Sequence, residues 1–340
     1  MMKNQVLELR GKPAETVLSI FKGIVTGEGK LPMQRMDRAT LAAIAKEVLE
    51  TEVDVDALPG SLSDAGVIDG EQLREEILHM GAVLPFLEED LSMQQERVDA
   101  LRRLGELWKV KDSMIKSLIS LSHGHKLRIM LHAMREARLE AGMPLWKQMM
   151  IQLEGVMHLD GDKAVLAKYK EYESLPEGTL GRTMTEYYNQ NDFPYPGTSG
   201  APFSNLLLQH DLHHVLSGYN TTGLGEFCVA GFAYGMTGES TYCSVLVVFM
   251  FQFHLGQVMD PGANAYRNEY EPAPVFRAFK RGSECTGDYM KMDYDFHPLM
   301  QEKLSDIRAR FNISADGMLV KSGSDLWCGS EGPPGKRHSG

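Results

Sequence analysis

The stretch from Leu206 to Phe227, LLLQHDLHHVLSGYNTTGLGEF, carries three histidines within five positions, an aspartate among them and a glutamate soon after. Ser204-Asn205 is a plausible N-cap and Gly218 a plausible stop, so the histidines fall on a helix of about three turns. With about 100° per residue and His210 set at zero, His214 falls near 40° and Asp211 near 100°, with Leu212 on the far side and His213 at the opposite margin. Two histidines four apart can hold one metal ion from adjacent turns. They need a further ligand from elsewhere. NTTGLGEF turns the chain: Gly218, Gly223 and Gly225 loosen the backbone, and Thr221 or Thr222 can cap the next helix. Glu226 then lies in that helix's first turn and can point back. Two imidazoles with one or two carboxylates make a borderline ligand field that suits zinc first and ferrous iron second. The competing reading is a pair of hydrogen-bonded core histidines.

The elements that must position these residues are helical. Apolar residues recur at helical spacing in RATLAAIAKEVLETEV, EQLREEILHMGAVLPFLEED and QQERVDALRRLGELWKVKDSMIKSLISL. No segment alternates strictly enough to demand a sheet. The expectation is all-α, with two helical domains: residues 1–150, and residues 160–315 carrying the metal site between two helices. EGVMHLDGDK is the polar connection. Residues 316–340 form a tail rich in Gly, Ser and Pro, expected to be partly disordered. A chain starting near Gly161 is expected to fold alone.

The first half holds a weak repeat. KLPMQRMDRATLAAIAKEV from Lys30 and DLSMQQERVDALRRLGELW from Asp90 align at an offset of 60, pairing Leu31 with Leu91, Gln34 with Gln94 and Leu41 with Leu101. In pattern this half resembles the tellurite-resistance B-like helical domains. Their acidic turns sometimes bind metal, which draws attention to Glu88, Glu89 and Asp90. A solvated turn at a helix start, with favourable placement on the helix dipole, is the first reading of them, and metal binding the second.

Composition excludes several classes. The chain has 340 residues and a formal net charge of −11. Without a Lys/Arg cluster, a broad nucleic-acid face is not expected. The four cysteines form no C-x-x-C pair, which argues against a thiolate zinc site. MMKNQVLELRGKPAETVL has no apolar core of a signal peptide, so a cytoplasmic protein is expected. The run VLVVFMFQFHLG, Val245 to Gly256, is too short to span a bilayer. A buried helix is its first reading and a lipid-facing helix its second.

The segment fits H-D-x-x-H-x11-E with His210, Asp211, His214 and Glu226 at the fixed positions. With LPEGTLGRTMTEYYNQN upstream and LMQEKLSDIRARFNI downstream, residues 165–313 resemble the family of the fourth coenzyme Q (ubiquinone) biosynthesis protein. The resemblance implies an all-helical fold and a zinc-type site with those four residues as ligands. It also implies action on ring intermediates bearing a polyprenyl tail, with oxidative removal of the ring carboxyl at C1. Such a protein is a metal-dependent decarboxylase or lyase, gathered with other quinone-biosynthesis enzymes at the inner membrane face. The metal would stabilise negative charge developing on the ring oxygen. Arg182 and Tyr219 are candidates to orient a ring hydroxyl or carboxylate. His213 stands where a large apolar residue is expected, and the first half lies outside the family's core, so a related aromatic acid is an alternative substrate. The tail would need a long apolar pocket lined by YCSVLVVFMFQF.

Two other classes compete. A phosphohydrolase could recruit His158 and Asp260, but the histidine spacing does not suit it, and in the zinc-protease motif H-E-x-x-H the glutamate is replaced here by the shorter Asp211. The chain can instead be a non-catalytic lipid-binding scaffold pinned by its metal.

Overall fold

The structure is a computed structural model that describes residues 4–110, 113–125, 128–129, 131–132, 135, 161–199, 205–259, 264–287, 289 and 294–318. Residues 150–160 of the expected connection, His158, Asp260, Cys328 and the tail beyond Met318 lie outside them. The described residues are helical and contain no strand beyond two isolated bridges, as the all-α reading expects. The first half holds α1 (Lys12–Val25), α2 (Arg35–Ala43), α3 (Glu71–Gly81), α4 (Leu91–Trp108) and α5 (Ser113–Ser122). The second holds α6 (Lys163–Tyr172), α7 (Leu180–Gln190), α8 (Asn205–Ser217), α9 (Gly223–Thr237), α10 (Ser240–Phe249), α11 (Pro272–Ser283) and α12 (Leu304–Arg310). Among the described residues no helix is long and apolar enough to cross a membrane.

Local chemistry sets the helix ends. Asp90 caps α4 by accepting from the backbone N–H groups of Ser92 and Met93 at 2.8 and 3.2 Å. The acidic turn therefore starts a helix, and Glu89 pairs with Arg267 rather than joining a ligand cluster. At the start of α2, Asp37 Oδ2 accepts from the Gln34 backbone N–H at 2.7 Å. The same oxygen takes Nη2 of Arg97 at 2.7 Å, in an ion pair with no exposure on either side. Burial works to raise the Asp37 carboxyl, and the Arg97 charge opposes it. Arg97 also donates to the Val25 carbonyl, which ties α4 to the end of α1.

Helices α9 and α11 cross with their backbones in contact. A Cβ on Gly235 would stand 1.9 Å from the Phe279 carbonyl oxygen, and one on Gly282 would stand 2.0 Å from that of Phe232. Only glycine permits this approach. Gly235→Ala is expected to cost about 3 kcal/mol or more, because the crossing must open to admit a methyl group. An unchanged urea midpoint for this variant would mean the helices do not sit this close.

The packing does not follow the sequence division at 150–160. Helix α11 lies on α2 and on the widened turn Ile44–Val48 that follows it. Asn4 Nδ2 donates to the Gly235 carbonyl at 2.7 Å, and His254 Nε2 meets the Leu87 carbonyl at 3.2 Å, both buried. Phe86 and Phe251 pack with ring centroids 5.0 Å apart. Around this seam Arg277 pairs with Glu47 and Lys280 with Glu50. A single apolar core runs from Val6 to Ile313. The run Val245–Gly256 completes α10 and continues as a π turn, Met250–His254. Val247 and Met250 to Leu255 are buried, whereas Val245, Leu246, Val248 and Phe249 remain partly exposed.

Candidate metal centre

His210 and His214 project from successive turns of α8. That helix ends where the sequence places its stop: Gly218 takes φ +79°, and the N–H groups of Gly218 and Tyr219 both return to the His214 carbonyl. Asn220 Oδ1 accepts from the Thr222 hydroxyl at 2.6 Å. Thr222 caps α9 by accepting from the Gly225 N–H at 3.1 Å. A Cβ on Gly225 would fall 1.9 Å from the Asn220 carbonyl oxygen, so the return is closed to any other residue. Glu226 follows in the first turn of α9 and faces the histidines.

Three electron-pair donors converge. His210 Nε2 lies 3.0 Å from Glu226 Oε2, His214 Nε2 lies 3.3 Å from Glu226 Oε1, and the two Nε2 atoms are 3.1 Å apart. The His214 Nδ1 sits 3.0 Å from the Tyr219 carbonyl oxygen, which can only accept. The Nδ1–H is thereby fixed, and Nε2 is the ring atom turned toward Glu226. A shared proton or a metal ion between ring and carboxylate makes this approach favourable. Ligand atoms around tetrahedral zinc stand about 3.3 Å apart for bonds near 2.0–2.1 Å, close to the observed separations. His210, His214 and Glu226 can therefore hold a metal ion.

The three groups also pair electrostatically with one another. Burial works to raise the Glu226 carboxyl, but the His214 and His210 rings beside it more than reverse this and hold it far below the usual carboxylate range. Burial works against charging His210, and Glu226 more than reverses that in turn. Three protein donors would leave a tetrahedral ion one coordination position free. Access is from one side: His214 is fully covered, while a third of the His210 side chain is exposed.

The four expected ligands do not all meet. Asp211 points away from the group and accepts the hydroxyls of Tyr187 at 3.1 Å and Tyr188 at 2.7 Å, both from α7. The Tyr187 ring in turn stacks on His214, with centroids 5.9 Å apart. Asp211 thus anchors the metal helix to α7 without joining the ligand atoms. Arg182 spends its guanidinium on Glu186 and the Glu173 carbonyl at the surface and makes no contact with the group. Tyr219 contributes through its backbone, while its buried ring lies under the Arg281 guanidinium, 5.2 Å from Cζ. His213 is buried near Tyr242, and burial holds its ring neutral.

No family model, curated protein or solved structure matches the chain. What the centre can do follows from its own residues and their neighbours.

Sequence reasoning missed two of those neighbours. The last carbonyls of α8 have no partners within the helix. Arg308 donates to the carbonyls of Val215 and Leu216, and Arg281 donates to that of Ser217 at 2.7 Å. Two buried guanidiniums so cap the negative end of the metal helix. Their only sequence signal is an arginine within a mostly apolar helical face. Cys243 and Leu246 of α10 line a small crevice of about 30 Å³ together with Met80, Phe227, Tyr270 and Phe276, too small for a long tail and with none of His210, His214 and Glu226 in its lining.

Proposed function

We propose that this protein is a metal-dependent enzyme that removes the C1 carboxyl of a prenylated ring acid on the route to ubiquinone or a related quinone. The observation that carries the reading is the convergence of His210, His214 and Glu226 on one point. It is supported by the H-D-x-x-H-x11-E spacing and its resemblance to the coenzyme Q family. Bound zinc, or ferrous iron where dioxygen is the oxidant, supplies a Lewis acid that stabilises negative charge on a ring oxygen. His214 is kept in the ligating tautomer by the Tyr219 carbonyl, and Asp211 with its two tyrosines holds the helix that carries it. The partly exposed His210 side is where the ring acid enters. The tail lies along Val245, Leu246, Val248 and Phe249, whose incomplete burial suits contact with lipid at the inner membrane face, where partner enzymes of the pathway would gather. That same stripe favours a second reading, a lipid-binding scaffold without catalysis.

One experiment separates the two. Metal-reconstituted full-length protein is incubated with a carboxylated prenylphenol and carbon dioxide is measured. Release that stops on chelation is the expected result. Binding of the prenylphenol without release would leave the scaffold, and equal binding of tailed and tailless acids would sink both lipid-based readings.

A further inference from the structure

Beside the metal group the chain gathers tyrosines in ring contact. Tyr187 stacks on the ligand His214 at 5.9 Å between centroids. Tyr188 meets Tyr187 at 5.5 Å, and Tyr195 meets Tyr188 at 5.9 Å, both edge to face. Tyr187 and Tyr188 are almost wholly buried, while Tyr195 is partly exposed. Each phenol has a carboxylate acceptor: Asp211 takes the hydroxyls of Tyr187 and Tyr188, and Glu173 takes that of Tyr195. Hydrophobic packing alone does not call for phenols here, since phenylalanine would fill the same space without a buried hydroxyl to satisfy. Tyrosine differs from phenylalanine in losing one electron readily when its proton has a nearby base.

We propose that Tyr187, Tyr188 and Tyr195 form a path for single electrons between the metal group and the protein surface. The path rests on the reading of His210, His214 and Glu226 as a metal site, here with iron. Its use is to drain oxidising equivalents that arise at the iron when no ring acid is bound, before they attack the ligands. With hydrogen peroxide as the oxidant the step balances as follows. Iron held by His210, His214 and Glu226 would supply one electron on passing from ferrous to ferric. Tyr187 gives the second electron, and its proton moves onto Asp211. Peroxide takes both electrons and two protons from solvent, and leaves as two waters. As the vacancy passes on, Tyr187 recovers its proton from Asp211, and Tyr188 likewise gives its proton to Asp211 and takes it back. The vacancy comes to rest at Tyr195, whose proton leaves through Glu173 to solvent, so that one tyrosine proton is lost in all.

The test uses the full chain loaded with ferrous iron, its iron content measured first. One equivalent of hydrogen peroxide is added, the sample is frozen for electron paramagnetic resonance, and oxidised residues are mapped by peptide mass spectrometry. The expected result is a tyrosyl radical signal, with oxidation or dityrosine cross-linking at Tyr195. Tyr188→Phe should keep its iron and lose the modification at Tyr195. Tyr195→Phe, a change at the surface that leaves the buried rings in place, should keep the radical signal and lose the cross-linked dimer. Iron-loaded protein without a tyrosyl signal would overturn the path and leave the metal site standing. So would Tyr195 modified to the same extent in folded, iron-loaded Tyr188→Phe, since that marks attack by diffusing oxidant. Failure to bind iron would overturn both this path and the iron reading of the site.

Discussion

His214→Ala is expected to lower metal affinity by more than about a hundredfold, because a three-residue site loses a third of its donors and even supporting residues cost about 10–100-fold. The loss should be larger than for His210→Ala. His214 is the fully covered ligand, and its Nδ1 is already fixed on the Tyr219 carbonyl, so no other group can take its place. Asp211→Asn should behave differently. Its side chain touches Tyr187 and Tyr188, not the donor atoms. An effect within about tenfold is expected, of the size that an orienting partner contributes. Titration calorimetry with zinc, and metal analysis after dialysis, read both variants. Full metal content in His214→Ala, with the same coordination by X-ray absorption, would overturn the ligand assignment. A larger loss in Asp211→Asn than in His214→Ala would place the aspartate on the metal after all.

A chain that begins at Gly161 is expected to be insoluble or to lack cooperative unfolding. The polar stretch before Lys163 reads as a domain boundary in the sequence, and the folded chain packs across it. Removal of the first half uncovers Phe251, Tyr270 and Phe276, which face Phe86, Thr40 and Met80. At about 1.5–3 kcal/mol for each large apolar side chain, these three alone represent about 5–9 kcal/mol, against a total stability of about 5–15 kcal/mol for a typical domain. Asn4 and His254 also lose or leave behind buried hydrogen-bond partners. Circular dichroism, a urea melt and zinc titration on the shortened chain decide the matter. A monomer with a sharp transition and one bound zinc would show that the second half has a sufficient core of its own.

The sequence exposes what depends on near neighbours. Helical periodicity marks the all-α class, since spacing at three and four residues is a property of the local chain. The cap at Thr222, the stop at Gly218 and the return of Glu226 toward His210 and His214 are all settled within about twenty residues. What it hides depends on which helix lies alongside. The wheel places Asp211 about 60° from His214, on a side that can face either the metal or a neighbour. That the neighbour is α7, with two tyrosines more than twenty residues upstream, is a tertiary fact. The arginines that cap α8 come from 64 and 92 residues away, where an amphipathic helix shows a buried cation no differently from an exposed one. The seam between the halves is hidden for the same reason: Val275, Phe276 and Phe279 announce an apolar face on α11 but not what covers it.

The buried ion pair in the first half has a consequence for how its two repeated segments pair. Asp37 and Arg97 stand at the same place in the two repeated segments, 60 residues apart, and they touch. Were the two copies alike at this place, two carboxylates or two guanidiniums would be shut in together without water, at a cost of several kcal/mol. Neither residue can therefore stand in for its partner. The unlike charges make the pairing of the two segments a lock that accepts only the opposite key.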